Sequence, residues 1–219
     1  MSIESNIKSL KIWKNDILIE PVDGGLTNQN FLVRDGEKKY FARIGKDIEE
    51  HLIFRTNEIS ASKAASLAGI APKLIFAGEG IIIFEYIKSI TFNSELVIQK
   101  IDKIIKLIKN IHDEIPNFIS GDPPLFWVFH VVKNYVNFLK NNNSPYLNLL
   151  NELVDKSSQL NKLASPYDIV FCHNDFLPAN FIENKSKIWV VDWEYAGFNT
   201  PLFDLGGLAS NNNFTYEQE

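Results

Sequence analysis

The chain has little of what secreted and membrane proteins depend on. One cysteine, Cys172, stands among 219 residues, which excludes an intrachain disulfide and fits a reducing cytoplasm. It continues the apolar run Ile169-Val170-Phe171, so a small buried side chain is expected of it, not thiol catalysis. No run approaches the ~20 apolar residues of a membrane span, and the first residues lack a signal peptide's apolar core. The four histidines, His51, His112, His130 and His173, show no zinc-ligand spacing. Charge of either sign is modest: 22 Lys and Arg against 27 Asp and Glu leave −5. That balance argues against nucleic acid or an anionic membrane as main partner and suits a cationic small substrate. Internal repeats, low-complexity tracts and flexible linkers are also missing. What remains, 45% hydrophobic and 22% charged, describes a globular chain large enough for one core or two lobes.

What is present is concentrated between Phe171 and Asp192. Cys172-His173-Asn174-Asp175-Phe176-Leu177-Pro178-Ala179-Asn180 is followed by Val190-Val191-Asp192-Trp193-Glu194, that is, H-x-D-x-x-x-x-N, a short strand and D-x-E. This is the order of parts in protein-kinase-like phosphotransfer sites, and the chemistry explains the spacing. Asp175 is placed to take the proton of an acceptor hydroxyl. A tight loop returns Asn180 to the same cleft, where its carbonyl oxygen suits Mg²⁺. Asp192 arrives from a separate strand to bridge metal and phosphates, again with hard oxygen. The alternative is that Asp175 and Asn180 cap a turn and Asp192 ends a strand. A turn alone gives no reason for a second acid to return to the same place. Asp168 to Phe171 reads as the strand entering this loop, and Phe181-Ile182 with Ile188 to Val191 as a hairpin leaving it.

Around this block the chain divides in two. Residues 1–14 read as a short amphipathic helix with Ile7, Leu10, Ile12 and Trp13 on its apolar side. Residues 17–22, 30–34 and 39–44 are strand-like, 49–67 helical, and 73–76 and 81–85 strand-like again, with glycine-bearing turns between them. Five strands and one helix in this order predict a nucleotide-binding lobe over residues 1–87 and a hinge at Tyr86-Ile87-Lys88-Ser89. Residues 88–219 are predicted mainly helical. Ile98, Ile101, Ile104, Ile105, Ile108 and Ile111 recur at three- and four-residue steps, and further helices are expected over 125–139 and 145–163. The expected fold class is α+β: a bilobal protein-kinase-like fold with a five-stranded antiparallel sheet lobe and a helical lobe.

Gly24-Gly25-Leu26-Thr27-Asn28 sits between two strands, where glycine would let backbone amides approach phosphate. The same letters also serve an ordinary hairpin turn. On the third strand, alternation places Phe41 and Arg43 on one face, Phe41 for the adenine and Arg43 for the phosphates. A lysine usually holds that post, and an arginine fork changes the contact geometry. Glu58 on the following helix is the natural ion-pair partner of Arg43; the alternative is a solvated helix face. Glu85, Tyr86 and Ile87, leaving the fifth strand, complete the expected nucleotide side.

Gly24 to Asn28, Phe41-Ala42-Arg43-Ile44-Gly45, Ala71-Pro72-Lys73-Leu74, His173-Asn174-Asp175, Val191 to Asn199 and Phe203-Asp204-Leu205 together resemble the choline/ethanolamine kinase family. That family sits within the larger aminoglycoside-phosphotransferase and protein-kinase-like group, and the resemblance runs from about residue 15 to 215. It implies ATP and Mg²⁺ as cofactors and an amino-alcohol as acceptor, bound near Asn174, Glu194, Tyr195 and Asp204. Trp193 and Asp204 have structural alternatives, as lobe core and as an anchor for the catalytic loop. Similar enzymes continue into C-terminal helices whose aromatic side chains wall an ammonium pocket; this sequence stops at Tyr216-Glu217-Gln218-Glu219, as a truncated chain, a gene fragment or a shortened enzyme would. Two other readings stay open: a thiamine, sugar or aminoglycoside phosphotransferase, and a nucleotide-binding module or inactive fragment without turnover.

Overall fold

The computed structural model describes residues 2–23, 27–78, 80–164 and 168–218. Alternating side chains and tight turns give β1 (Ile17–Val22), β2 (Gln29–Asp35) and β3 (Lys38–Ile44). After helix α2 (Arg55–Leu67) come β4 (Leu74–Gly78) and β5 (Ile81–Glu85). The five strands form one antiparallel sheet in the order β1-β2-β3-β5-β4. One face, with Phe31, Val33, Ala42 and Ile83, packs with Ile7 and Ile17 into the sheet's own core. The other face, with Asn30, Phe41, Arg43 and Phe84, is left to line a cleft.

The N-terminal helix is shorter than the pattern of Ile7, Leu10 and Trp13 suggests. Helix α1 spans Ile3–Lys8 only, capped by the Ser2 hydroxyl. Beyond it the Asp35 carboxylate accepts from the backbone amides of Lys14 and Asn15 at 3.0 and 2.8 Å, which draws the chain into the sheet. Trp13 then meets Tyr40 edge-on while its indole donates to the Ile7 carbonyl. The helix expected from Glu49 begins instead at Arg55. Residues 49–51 form a single 3₁₀ turn, closed by an Ile48–Ile53 bridge with Leu52 left-handed at φ 58°.

The rest of the chain follows as β6 (Ile90–Thr91), α3 (Ser94–Gln99), α4 (Ile101–Glu114), α5 (Val128–Asn141), α6 (Leu147–Leu163), β7 (Val170–Cys172), β8 (Phe181–Asn184), β9 (Lys187–Val190), β10 (Gly197–Asn199) and α7 (Pro201–Asn211). The isoleucine run is two helices, broken at Lys100, whose ammonium bonds Glu183. Ile104, Ile108 and Ile111 are buried as the spacing predicts, whereas Ile105 faces out. Leu125 and Phe126 are not helical as expected. They lie along Phe198 of β10, with the Phe126 amide bonded to the Phe198 carbonyl. Close approach there needs Gly197, since a Cβ would stand 2.6 Å from the Pro124 carbonyl oxygen.

The larger core joins α4, β7, β8 and β9 to Phe176, Trp193 and Leu208. Ala61, Ala64 and Ala65 of α2 belong to it, so the small-residue face of α2 packs on the helical half. This gives α2 a hold on both halves of the cleft. Among the described residues no helix is long and apolar enough to cross a membrane.

Candidate functional site

Between sheet and helical half lies a cleft of about 410 Å³. Phe41 and Arg43 reach it from β3, and Glu85, Tyr86 and Ile87 border it where the chain leaves β5. Asn180 and Asp192 line its opposite side. Gly24 and Gly25 lie outside the described residues. Thr27 and Asn28 follow them and bond to Glu194 across the cleft.

The loop from His173 to Asn180 is held from several directions. The amides of His173 and Asn174 donate to the Asp204 carboxylate at 3.1 and 2.8 Å, from the first turn of α7. Asp204 is 1% exposed and also meets the His112 ring at 2.9 Å, so both its oxygens are occupied. Asn174 takes the left-handed conformation at φ 66°, which asparagine tolerates better than most residues. Its amide donates to the Tyr195 carbonyl and accepts from Asn199, tying the loop to the segment after Asp192. His173, fully buried, bonds the Val191 carbonyl through Nε2 at 3.0 Å and receives the Asp175 amide at Nδ1. A neutral ring with its proton on Nε2 satisfies both bonds. The ring also stacks on Phe176 and meets the edge of Trp193.

This scaffold turns Asp175 and Asn180 toward each other. The Asn180 amide donates to the Asp175 carbonyl at 2.8 Å and to its carboxylate at 3.3 Å. Burial raises the pKa of Asp175 above the ordinary carboxylate value, and the nearby Asp192 charge adds to the rise. Cys172, one residue before the loop, is buried, and desolvation with the Asp204 charge pushes its thiol far up, which keeps it unreactive.

Asp192 is left-handed at φ 69°, and its two oxygens differ. Oδ2 pairs with Arg43 at 2.6 Å, while Oδ1 is buried with no hydrogen-bond partner. Arg43 makes a second ion pair, with Glu58 at 3.1 Å, so the Arg43–Glu58 pair read from the sequence forms. Burial disfavours the Arg43 charge, but Asp192 and Glu58 outweigh it and hold the guanidinium protonated. Glu58 also bonds Arg55, which continues to Glu194 at 3.3 Å. Burial lifts the pKa of Glu58, against the pull of both arginines. Glu58, Asp192 and Glu194 lie close enough to suggest a cation site, but two guanidiniums already stand between them.

Arg55 and Asn57 are contributions the motifs did not announce. Both lie in the first turn of α2, where Asn57 donates to the Ala196 carbonyl at 2.8 Å. Trp193 is 1% exposed and donates to the Val190 carbonyl, so it serves the lobe core. Tyr195 is only half-buried and meets Phe126 edge-on, and Phe126 meets Phe203 in turn. Burial and the neighbouring Glu194 charge push the Tyr195 phenol up to about 12.

The family model for choline/ethanolamine kinase matches residues 19–219. The chain belongs to that family. Mouse ethanolamine kinase 2 is 29% identical over 210 residues, which cover 89% of this chain and 53% of that protein. The crystal structure of the choline kinase LicA from Streptococcus pneumoniae superposes with a TM-score of 0.80 at 29% identity, covering 99% of this chain and 75% of that one. A structure of LicA in complex with AMP superposes at 0.77, with 26% identity and coverages of 99% and 75%. The fold is therefore the bilobal α+β kinase-like one that the order of elements suggested. The chain spans a little over half the length of the curated relatives it matches, 58% and 53% for the first two.

In this member of the family, one buried network joins Arg43, Glu58 and Arg55, so substitutions within it should be coupled. Glu58→Ala would leave two buried guanidiniums sharing fewer carboxylates, and breaking a buried ion pair costs about 3–5 kcal/mol. Arg43→Ala removes the same contact from the other side. The double variant should lose much less stability than the two single losses added together, as urea denaturation would measure. Arg43→Lys should restore only part of the loss, because an ammonium lacks the fork that spans two carboxylates. Additive losses would mean that Arg43 and Glu58 act independently.

Proposed function

We propose that this chain is an ATP- and Mg²⁺-dependent kinase that transfers the γ-phosphate to the hydroxyl of choline, ethanolamine or a similar amino-alcohol. The observation that carries this reading is that Asn180 and Asp192 share a cleft whose other wall is Arg43 and Phe41, while Asp175 is held just behind it by its two bonds to Asn180. The names of the relatives and the AMP complex of LicA support the reaction class and the nucleotide. Residues 1–87 would form the nucleotide-binding lobe and 88–219 the catalytic lobe, with Tyr86 and Ile87 at the hinge.

The residues present fit a divalent cation. Asp192 Oδ1 is a buried carboxylate oxygen without a partner, and Asn180 offers a second hard oxygen on the same cleft. Asp192 and Asn180 would hold Mg²⁺, which when bound neutralises charge on the phosphates and the transferring phosphoryl group. Arg43 lies at this spot already as a cation, and exchanging part of its Asp192 contact for phosphate oxygens would place it on the nucleotide. Glu58 would keep hold of it during that exchange.

Asp175 would accept the acceptor's hydroxyl proton as that oxygen bonds the γ-phosphorus, while the bond to the departing ADP oxygen breaks. Its burial favours a proton acceptor in a partly water-excluded site. Asn174 and Asp204 would act on the acceptor indirectly, by fixing the loop that carries Asp175. Tyr195, backed by Phe126, offers an aromatic surface of the kind that attracts a substituted ammonium.

The test is turnover with Mg·ATP against choline, ethanolamine, thiamine and an aminoglycoside, with the phosphorylated product identified by mass. Product from an amino-alcohol is expected. Product from an aminoglycoside or thiamine alone would keep the kinase and overturn the acceptor. Mg·ATP binding with no product from any acceptor would identify a nucleotide-binding module.

A further inference from the structure

The family resemblance implies an acceptor-side role for Glu194, two residues after Asp192, where a carboxylate could face an ammonium. Its surroundings say otherwise. Glu194 is 5% exposed. The Thr27 hydroxyl lies 3.0 and 3.1 Å from its two oxygens, and the Asn28 amide donates to Oε2 at 3.0 Å. Arg55 reaches the same oxygen at 3.3 Å. Both oxygens are thus engaged, and the charge is matched by a buried guanidinium before any ligand arrives.

The partners of Glu194 come from the other half of the cleft. Thr27 and Asn28 lead into β2, which pairs with β3 and carries Asn30 opposite Arg43. From Thr27 the contacts run without a gap through Glu194, Arg55, Glu58 and Arg43 to Asp192. Gly45 makes room for this path, because a Cβ there would stand 2.4 Å from Asn28 Oδ1 and 2.6 Å from Arg55 Cζ.

We propose that Glu194 is a positioning residue for the nucleoside triphosphate, which ties the Thr27–Asn28 arm of the nucleotide side to the segment bearing Asp192. The inference rests on the kinase reading above and assigns Glu194 within that site. Removing its charge should loosen the arm and release Arg55, so nucleotide affinity falls while acceptor affinity does not. Glu194→Gln is the sharp variant. It keeps the shape, cannot balance Arg55, and turns an amide donor toward the donors of Thr27 and Asn28.

Calorimetry with a non-hydrolysable ATP analogue and Mg²⁺, without acceptor, reads the effect directly. Glu194→Gln should weaken binding about tenfold, the effect of losing one charge-assisted contact. Thr27→Val approaches the same contact from the other side and keeps the test open if Glu194→Gln fails to fold. It should weaken binding by about three- to tenfold. With both changes together, affinity should be no lower than with Glu194→Gln alone. Where turnover is measurable, acceptor KM should stay within about twofold. Nucleotide affinity unchanged in both single variants would overturn the proposal, as would a raised acceptor KM with nucleotide affinity intact. A parent protein that binds no nucleotide would overturn the kinase reading itself, an outcome separate from these two.

Discussion

Asp192→Asn should abolish measurable phosphotransfer and remove the Mg²⁺-dependent part of nucleotide-induced stabilisation. Asparagine is the informative replacement because position 192 is left-handed, a conformation that asparagine adopts more readily than alanine. Shape is kept and only the charge is lost. Without that charge the proposed metal site loses its anionic ligand, and Arg43 loses one of its two ion pairs. Metal-assisted charge stabilisation is worth several kcal/mol, so kcat should fall by about 10³-fold or more even at saturating acceptor. Thermal shifts with ADP, recorded with and without Mg²⁺, separate metal capture from folding. In the parent protein Mg²⁺ should increase the shift; in the variant the two curves should coincide. A Mg²⁺ increment that survives the substitution would leave Asp192 with a purely structural task, as the ion-pair partner of Arg43.

How much of this was readable beforehand depended on whether a feature is local. The loop from His173 to Asn180 and its return at Asp192 are short-range, so their spacing suffices to predict that Asp175 meets Asn180 and that Asn180 and Asp192 share a cleft. Alternation along β3 likewise sent Phe41 and Arg43 to one face and Ala42 to the other. What escaped is non-local. Strands β6 and β10 are only two and three residues long and exist by pairing with distant β8 and β7. Arg55 falls inside the helix that the sequence pattern predicts from Glu49. Its contact with Glu58 is an ordinary i,i+3 helical pair, but its contact with Glu194 spans 139 residues, and no periodicity marks that one. Glu194 shows the same limit: its partners Thr27 and Asn28 stand 167 and 166 residues away, which no local pattern marks. The phosphate-side glycines, Gly24 and Gly25, fall outside the described residues and remain an expectation from the sequence.

Asp175→Asn should separate chemistry from binding. The Asn180 amide that now meets the Asp175 carboxylate can donate equally to an asparagine carbonyl, and the backbone bonds of residue 175 to His173 and Asn180 are untouched. The variant should therefore fold normally and bind Mg·ATP within about twofold of the parent, a shift below 0.5 kcal/mol. Turnover should fall by about 10²–10⁴-fold, the usual contribution of a general base. The pH profile gives a second and independent reading. Only the deprotonated carboxylate can take a proton, and burial raises its pKa above the ordinary 3.8. As pH falls, kcat of the parent should decline through an acid limb lying above the range of a solvated aspartate, and it should level off at higher pH. The residual activity of Asp175→Asn should lack that limb, because the group responsible no longer titrates. Near-normal kcat in the variant, or an acid limb that persists unchanged, would place the proton acceptor elsewhere in the cleft.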